Sequence, residues 1–268
     1  MTFQPNHIAV DPVSPPAAYI GGKRQLSRRI CECIAAVPHS LYAEPFVGMG
    51  GVFFKRSSAP RTEVINDRSG DVVNLFRILQ RHYPYFMDML KFQITSRREF
   101  ERLKASNPVT LTDLERAARF LYLQRLTFGG KVAGRTFGVQ RAGSARFNLT
   151  RLAPILDDIH ERLTGVVIEN LDWLDFIDRY DQPETLFYLD PPYWGSEDYY
   201  GKELFSRDQY EVMAGRLARI KGRFLLSIND VPDIRSIFSA FDIEDVSLTY
   251  TASGGRGKAV RELIISNG

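Results

Sequence analysis

The residues best suited to chemistry stand in one tetrad. Asp190-Pro191-Pro192-Tyr193 follows directly on the apolar run 186–189. Two prolines stop a strand, fix φ and remove two backbone donors. The carbonyls then remain as acceptors beside a carboxylate at the strand's carboxyl end, the edge where ligands bind in open α/β sheets. A carboxylate and a carbonyl side by side can accept two hydrogen bonds from an exocyclic amine. Tyr193 adds a flat ring on which a base can stack. An ordinary Pro-Pro turn with a capped aspartate has the same composition, so the tetrad alone leaves both readings open.

Two further groups carry ligand-binding chemistry. In Glu44-Pro45-Phe46-Val47-Gly48-Met49-Gly50-Gly51 a strand delivers the chain to glycines. Glycine allows a tight turn and a close backbone approach to a ligand. Asp67 follows Gly48 by 19 residues, at the end of the next strand. An acid in that place accepts hydrogen bonds from a ribose diol. Phe53 occupies the position of the third glycine of a dinucleotide fingerprint, which disfavours NAD but keeps the ribose logic. Near the start, Tyr19-Ile20-Gly21-Gly22-Lys23 puts glycines before a cation at a helix start, suited to a carboxylate or phosphate. It lacks the remaining residues of a P-loop. A plain structural turn fits either group taken alone.

Charge is unevenly distributed. The net charge is +3, yet residues 91–151 carry 13 basic and 4 acidic residues. Within 124–151 Arg125, Lys131, Arg135, Arg141, Arg146 and Arg151 meet no acid. Arginine outnumbers lysine, 27 to 8, and its planar fork binds phosphates and guanine edges bidentately. The segment reads as a polyanion-binding surface, with a solvated basic loop as the plain alternative.

Elements that alternate between strand and helix must position these groups. Residues 1–16, with Pro5, Pro12, Pro15 and Pro16, read as an extended arm. Helix is predicted over 23–36, ended by Pro38, and from 50–56; strand over 41–46 and 63–66. The spacing of Val72, Val73, Phe76 and Leu79 predicts a helix over 70–81. Residues 84–125 are helical in pattern, whereas 126–150, with five glycines, read as a loop or hairpin. Strands follow at 166–169, 186–189 and 224–228. Ser206 is a candidate N-cap for a helix whose apolar face is Tyr210, Met213, Leu217 and Ile220. Residues 246–250 and 263–265 flank a glycine-rich stretch as an antiparallel pair would. The alternation predicts an α/β fold, a mostly parallel sheet covered by helices on both faces, interrupted by an insertion at 84–164.

A composition of 44% hydrophobic and 25% charged residues excludes intrinsic disorder. No run approaches the ~18 apolar residues of a membrane span. No basic stretch followed by an apolar run opens the chain, so a secretory signal is not expected and a cytoplasmic protein is. Cys31 and Cys33 cannot build a disulfide framework, and four scattered histidines predict no metal site.

Taken together these motifs resemble the Dam-type DNA adenine N6-methyltransferases, the D12 class of the alpha group. The residues are GGK at 21–23, EPFVGMGG at 44–51, IND at 65–67, FLYLQR at 120–125, FN at 147–148, DPPY at 190–193, LLSIND at 225–230 and the tail from 253. They stand in the family's order and span the chain from about residue 17. The resemblance implies a Rossmann-like, S-adenosylmethionine-dependent catalytic domain (17–83 and 165–268). It also implies a mainly helical DNA target-recognition domain with a β-hairpin (84–164). Tyr19, Gly21, Gly22, Lys23, Glu44, Pro45, Phe46, Gly48, Gly50 and Asp67 would hold S-adenosylmethionine, with Asp67 on the ribose hydroxyls. Residues 171–173 would border its adenine. Asp190, with Pro191 and Pro192, would hold the target amine or the methionine amino group, and Tyr193 would stack on the target adenine. Arg125, Lys131, Arg135, Arg141, Arg146, Arg256 and Lys258 would grip double-stranded DNA, with Arg135 and Arg141 reading base edges. The sequence departs from the family at Phe128-Gly129-Gly130, where many relatives have aromatic-Asn-Gly, and at Gln124, which replaces asparagine.

The implied reaction is site-specific methyl transfer to adenine N6 by base flipping and direct in-line displacement, without a covalent enzyme intermediate. A monomer, or a dimer on DNA, is expected. Transfer to cytosine N4 or to RNA adenine, and a non-catalytic DNA-binding relative, are the competing functions.

Overall fold

The computed structural model describes residues 7–19, 21–23, 25–132, 134–138, 145–195, 205–250 and 258–268; at 248–250 and 258–260 it describes the strand backbone alone. The strands are β1 (Ile8–Ala9), β2 (Leu41–Glu44), β3 (Ser58–Ala59), β4 (Thr62–Asn66), β5 (Val167–Glu169), β6 (Thr185–Leu189), β7 (Arg223–Asn229), β8 (Asp242–Tyr250) and β9 (Lys258–Ser266). Seven of them form one sheet in the order β5-β4-β2-β6-β7-β9-β8. The first five run parallel, and β9 lies antiparallel to both β7 and β8.

Strand side chains alternate between the two faces, and both faces are covered by helices. On β6, Leu186 and Tyr188 pack into one layer and Phe187 and Leu189 into the other. The same alternation separates Leu225 from Leu226 on β7 and Ile264 from Ile265 on β9. The first layer holds α1 (Ser27–Ala36) and α2 (Gly70–Arg81), behind which α3 (Tyr83–Leu90), α4 (Arg97–Ala105), α5 (Asp113–Leu126) and α6 (Leu149–Arg162) are packed. The second holds α7 (Trp173–Tyr180), α8 (Asp208–Leu217) and α9 (Pro232–Ile237). The mostly parallel, doubly covered sheet is the one read from the sequence, and α2 has the predicted limits.

Helices α3 to α6 lie between α2 and β5 in the chain, in the stretch read as an insertion. Helix α5 starts on a reciprocal capping box, Thr112 with Glu115, and is buried along most of its length against α2 and α4.

Several local expectations change, the first being the helix expected over 23–36, which begins at Ser27 and leaves Lys23 in the turn before it. Residues 50–56 make only a single 3-10 turn, Phe53–Lys55, since Gly50 and Gly51 weaken a longer helix. Ser206 does not cap α8; it lies one position before the N-cap, Arg207, and its hydroxyl bonds the Asp208 carboxylate. Ile220 lies beyond the end of α8, in the same apolar layer. Among the described residues the hairpin expected in 126–150 is one antiparallel bridge, Thr127 to Phe137, flanked by Phe128 N–H to Thr136 C=O and Gly138 N–H to Leu126 C=O. From residue 7 on, the start read as an arm lies on the body: β1 pairs with β3, and Val13 N–H donates to Phe54 C=O; residues 1–6 lie outside the described residues.

Candidate active site

The carboxyl ends of β2, β4 and β6 open onto a cavity of about 600 Å³. Asn66, at the last position of β4, ties its own strand end to the segments that leave β2 and β5. Its amide donates to Pro45 C=O (2.9 Å) and Leu171 C=O (3.2 Å), and its oxygen accepts from Leu171 N–H (2.7 Å). Beyond it Asp67 accepts Gly48 N–H on Oδ2 (2.9 Å) and Ser69 N–H on Oδ1 (2.8 Å). These bonds set the glycine turn and leave each oxygen a second lone pair. Burial pushes the Asp67 carboxyl up to about 6, against both bonds.

Gly48 needs its glycine. Its φ is +52°, and a β-carbon would come 3.1 Å from the ring of Tyr19. Tyr19 is held in turn by the turn that follows it, where Gly22 N–H bonds Tyr19 C=O. That turn delivers Lys23, whose side chain is only 2% exposed. Its ammonium lies 2.9 Å from Asp190 Oδ1 and 3.2 Å from Glu262 Oε2, hydrogen-bonds the Tyr193 hydroxyl and sits 4.1 Å from the centre of that ring.

Asp190 receives a second bond on the same oxygen, from Ser227 Oγ at 3.3 Å. Its Oδ2 accepts none among the described residues. Burial pushes this carboxyl up to about 6, Lys23 and Ser227 opposing the rise and Glu262 adding to it. The two proline carbonyls differ. Pro192 C=O is taken by the Tyr210 hydroxyl at 2.7 Å, while Pro191 C=O accepts no donor among the described residues. Asn229 fixes the exit of the tetrad, exchanging bonds with Trp194 N–H and C=O. Glu44 accepts the Tyr42 hydroxyl (2.6 Å), and burial pushes it up to about 8. Phe46 makes an aromatic corner with Phe205 and Trp173.

Of the residues expected to hold a cofactor, Tyr19, Gly21, Gly22, Lys23, Glu44, Phe46, Gly48, Asp67 and Asp190 line this one cavity. Pro45 and Gly50 stand behind it. Pro45 supplies the carbonyl for Asn66, and a β-carbon on Gly50 would meet the Phe54 ring at 2.3 Å. Sequence reasoning missed Ser14 and Pro15, at the end of the supposed arm, and Ala17 and Ala18 just after it, all of which line the cavity. It also missed Asn66, Ser227 and Glu262 as parts of the site. Their signal was a polar residue inside an apolar strand run.

The basic segment differs from expectation. Arg125 points inward: Nη1 donates to Pro16 C=O, and Nε and Nη2 to Arg146 C=O. Arg135 lies over Phe120 and bonds Gln124 Oε1, and burial lowers its pKa. Arg146 donates to Thr127 C=O. These three side chains tie the loop to α5 and the cavity wall; Arg125 and Arg146 do so by supplying donors to backbone carbonyls that an irregular backbone leaves bare, and Arg135 through the Gln124 side chain. Lys131 is exposed. Arg141, Arg256 and the side chain of Lys258 lie outside the described residues. No group of metal-binding side chains and no helix long and apolar enough to cross a membrane occurs among the described residues.

Known proteins are similar to this chain in sequence over most of its length. A type II methyltransferase of Lactococcus lactis subsp. cremoris, M1.LlaDCHI, is 25% identical over 94% of this chain and 95% of its own length. The type II methyltransferase M.CviBI of Paramecium bursaria Chlorella virus NC1A is 21% identical over 85% of this chain and 88% of its own. A DNA N-6-adenine-methyltransferase of Escherichia phage P1 is 26% identical over 75% of this chain and 28% of its own. Among solved structures, a ribosomal protein L11 methylase of Lactobacillus delbrueckii subsp. bulgaricus aligns with a TM-score of 0.38 and 13% identity, over 95% of this chain and 83% of its own. The sequence profile of the D12 class N6 adenine-specific DNA methyltransferases matches residues 19–252, a span that takes in the Tyr19 turn, the glycine turn, Asp67 and the tetrad. With most of its length inside that match, the chain belongs to the D12 class of N6 adenine-specific DNA methyltransferases.

Proposed function

We propose that the chain methylates adenine N6 at a specific sequence of double-stranded DNA, with S-adenosylmethionine as donor and the target base swung out of the duplex. The observation that carries this reading is the Asp190 carboxylate. It is pinned through one oxygen at the cavity edge, and neither its other oxygen nor the carbonyl of the next residue, Pro191, accepts a donor among the described residues.

The cavity suits this donor. Its volume lies within the ~300–1,000 Å³ of sites for ligands of that size. Glu44, Asp67 and Asp190 offer three carboxyl groups to a molecule that carries a ribose diol, an ammonium and a sulfonium. Asp67 would take the ribose hydroxyls on its remaining lone pairs, and Tyr19, Phe46 and Gly48 would pack along the ribose and methionine. When bound, S-adenosylmethionine supplies a methyl group on a positively charged sulfur.

The chain's own work is to present the amine. The N6 lone pair of adenine is delocalised into the ring and is a poor nucleophile. Hydrogen bonds from the amino group to Asp190 Oδ2 and Pro191 C=O favour a pyramidal nitrogen with its lone pair directed away from both acceptors. Tyr193, steadied at its hydroxyl by Lys23, would stack on the base. Positioning and fixed charge then supply most of the acceleration. Extracting the base from the duplex costs a few kcal/mol. No nucleophile of the chain is required, and Cys31 is not poised as one, since burial pushes its thiol up to about 11.

The test is a digest to nucleosides of unmethylated duplex DNA incubated with the protein and labelled donor. The expected label is in N6-methyldeoxyadenosine. Label in N4-methylcytosine, or none, would overturn the reading.

A further inference from the structure

The face of the sheet that carries Tyr42 and Glu44 on β2 carries a row of polar groups across its neighbours. Tyr188, Ser227 and Glu262 stand on β6, β7 and β9, each two residues from a side chain of the same apolar layer. In a central sheet such positions are normally apolar. Here Ser227 and Glu262 are fully buried and Tyr188 is 1% exposed.

The row ends on Asp190. Tyr188 OH lies 2.8 Å from Ser227 Oγ, and Ser227 donates to Asp190 Oδ1. From the far side Glu262 takes Lys23 at 3.2 Å, and Lys23 reaches the same Oδ1 at 2.9 Å. A lysine ammonium has three protons. Glu262, Tyr193 and Asp190 Oδ1 match that number. Without Glu262 the ammonium could close over both oxygens of Asp190 and compete with an incoming amine.

We propose that Glu262 and Ser227 are positioning residues for methyl transfer, holding Lys23 and the Asp190 carboxylate so that Oδ2 is kept for the target amino group. The inference rests on the function proposed above. Among the described residues the charged and titratable groups around Asp190 are Lys23, Glu262, Glu44, Tyr188 and Tyr193, so a substitution in this set alters the protonation of Asp190 in a direction fixed by its chemistry. Ser227 stabilises the carboxylate by a hydrogen bond, whereas the negative charge of Glu262 disfavours it.

The experiment measures steady-state methylation of duplex DNA against pH for the wild type, Ser227→Ala and Glu262→Gln, both near-isosteric. Each variant is expected to lose about tenfold in kcat, the effect of one charge-assisted hydrogen bond, with KM for donor and DNA nearly unchanged. The acid limb of the kcat profile is expected to move up in pH for Ser227→Ala and down for Glu262→Gln. A purely structural role predicts loss of thermal stability with unmoved limbs, and that result would overturn the inference. So would wild-type kcat in both variants. A wild type that methylates no adenine would sink the parent reading; an active wild type with unmoved variants refutes the positioning role alone.

Discussion

A carboxylate that accepts hydrogen bonds from an amine must be deprotonated when the amine arrives. Burial holds Asp190 up to about 6, so its ionised fraction falls as pH drops below that value. For the proposed reaction, kcat/KM is expected to be flat above about pH 7 and to fall about tenfold per pH unit on the acid side. Asp190→Ala is expected to lose about a thousandfold in methyl transfer, measured with labelled donor, and to keep DNA affinity in a gel shift. Turnover near the wild-type rate in that variant would remove Asp190 from the reaction. Residues of this kind were legible in sequence because proline punctuates: Pro191 and Pro192 mark both the strand end and the bare carbonyls. Ser227 and Glu262 were not legible. A polar residue in an apolar run has many structural uses, and only the folded chain shows that Ser227 bonds Asp190 directly while Glu262 reaches it through Lys23.

At the scale of elements, the end of α5 and the loop after it hold the cavity wall. Gln124 donates to Ala18 C=O and Gly130 C=O, Arg125 donates to Pro16 C=O, and Gly130 packs against Ala18 and Tyr19 with no room for a β-carbon. The wall formed by residues 14–19 is therefore suspended from the end of α5. Arg125→Ala would leave the carbonyls of Pro16 and Arg146 without these donors, at about 1–3 kcal/mol. The expected result is a rise of about tenfold in the Kd for S-adenosylmethionine by calorimetry, together with a lower Tm. The salt dependence of DNA binding is expected to stay as in the wild type. A changed salt slope with unchanged donor affinity would restore Arg125 to the role expected from sequence. The strands and α2 could be read because their burial follows a period. Charge carries no direction along a chain, so inward and outward arginines in 124–151 look alike until the backbone carbonyls near them are placed.

For the whole molecule, the buried carboxyls make folding depend on pH. Glu44 is pushed up from 4.5 to about 8, and Asp67 and Asp190 from 3.8 to about 6. The folded protein thus holds these protons more tightly than the unfolded chain. Their stabilising contribution is complete below the unfolded values and is lost as pH rises through the folded ones. His39 acts in the opposite sense. Burial lowers it from 6.5 to about 4, so its contribution is present above 6.5 and lost as pH falls. Between about pH 6.5 and 8.5 His39 is silent, and the Tm of the ligand-free protein is expected to fall as pH rises, by calorimetry. Glu44→Gln is expected to flatten most of that slope; an unchanged slope would mean that Glu44 is ionised in the fold.

The charge distribution sets the last expectation. The segment 91–151 is strongly basic within a chain of net charge +3, and this imbalance supports the proposed grip on DNA. With Arg125, Arg135 and Arg146 engaged by the protein itself, phosphate contacts fall to exposed side chains such as Arg97, Arg98, Lys131 and Arg151. Each phosphate neutralised contributes about −0.9 to the slope of log K against log salt. Lys131→Ala and Arg151→Ala are therefore each expected to weaken binding to any duplex sequence and to make the slope shallower by about one unit. Fluorescence anisotropy across a salt series measures this directly. If neither exposed residue changes the slope while Arg146→Ala does, the inward arginines must turn outward on DNA, and the loop that they hold must rearrange when the duplex binds.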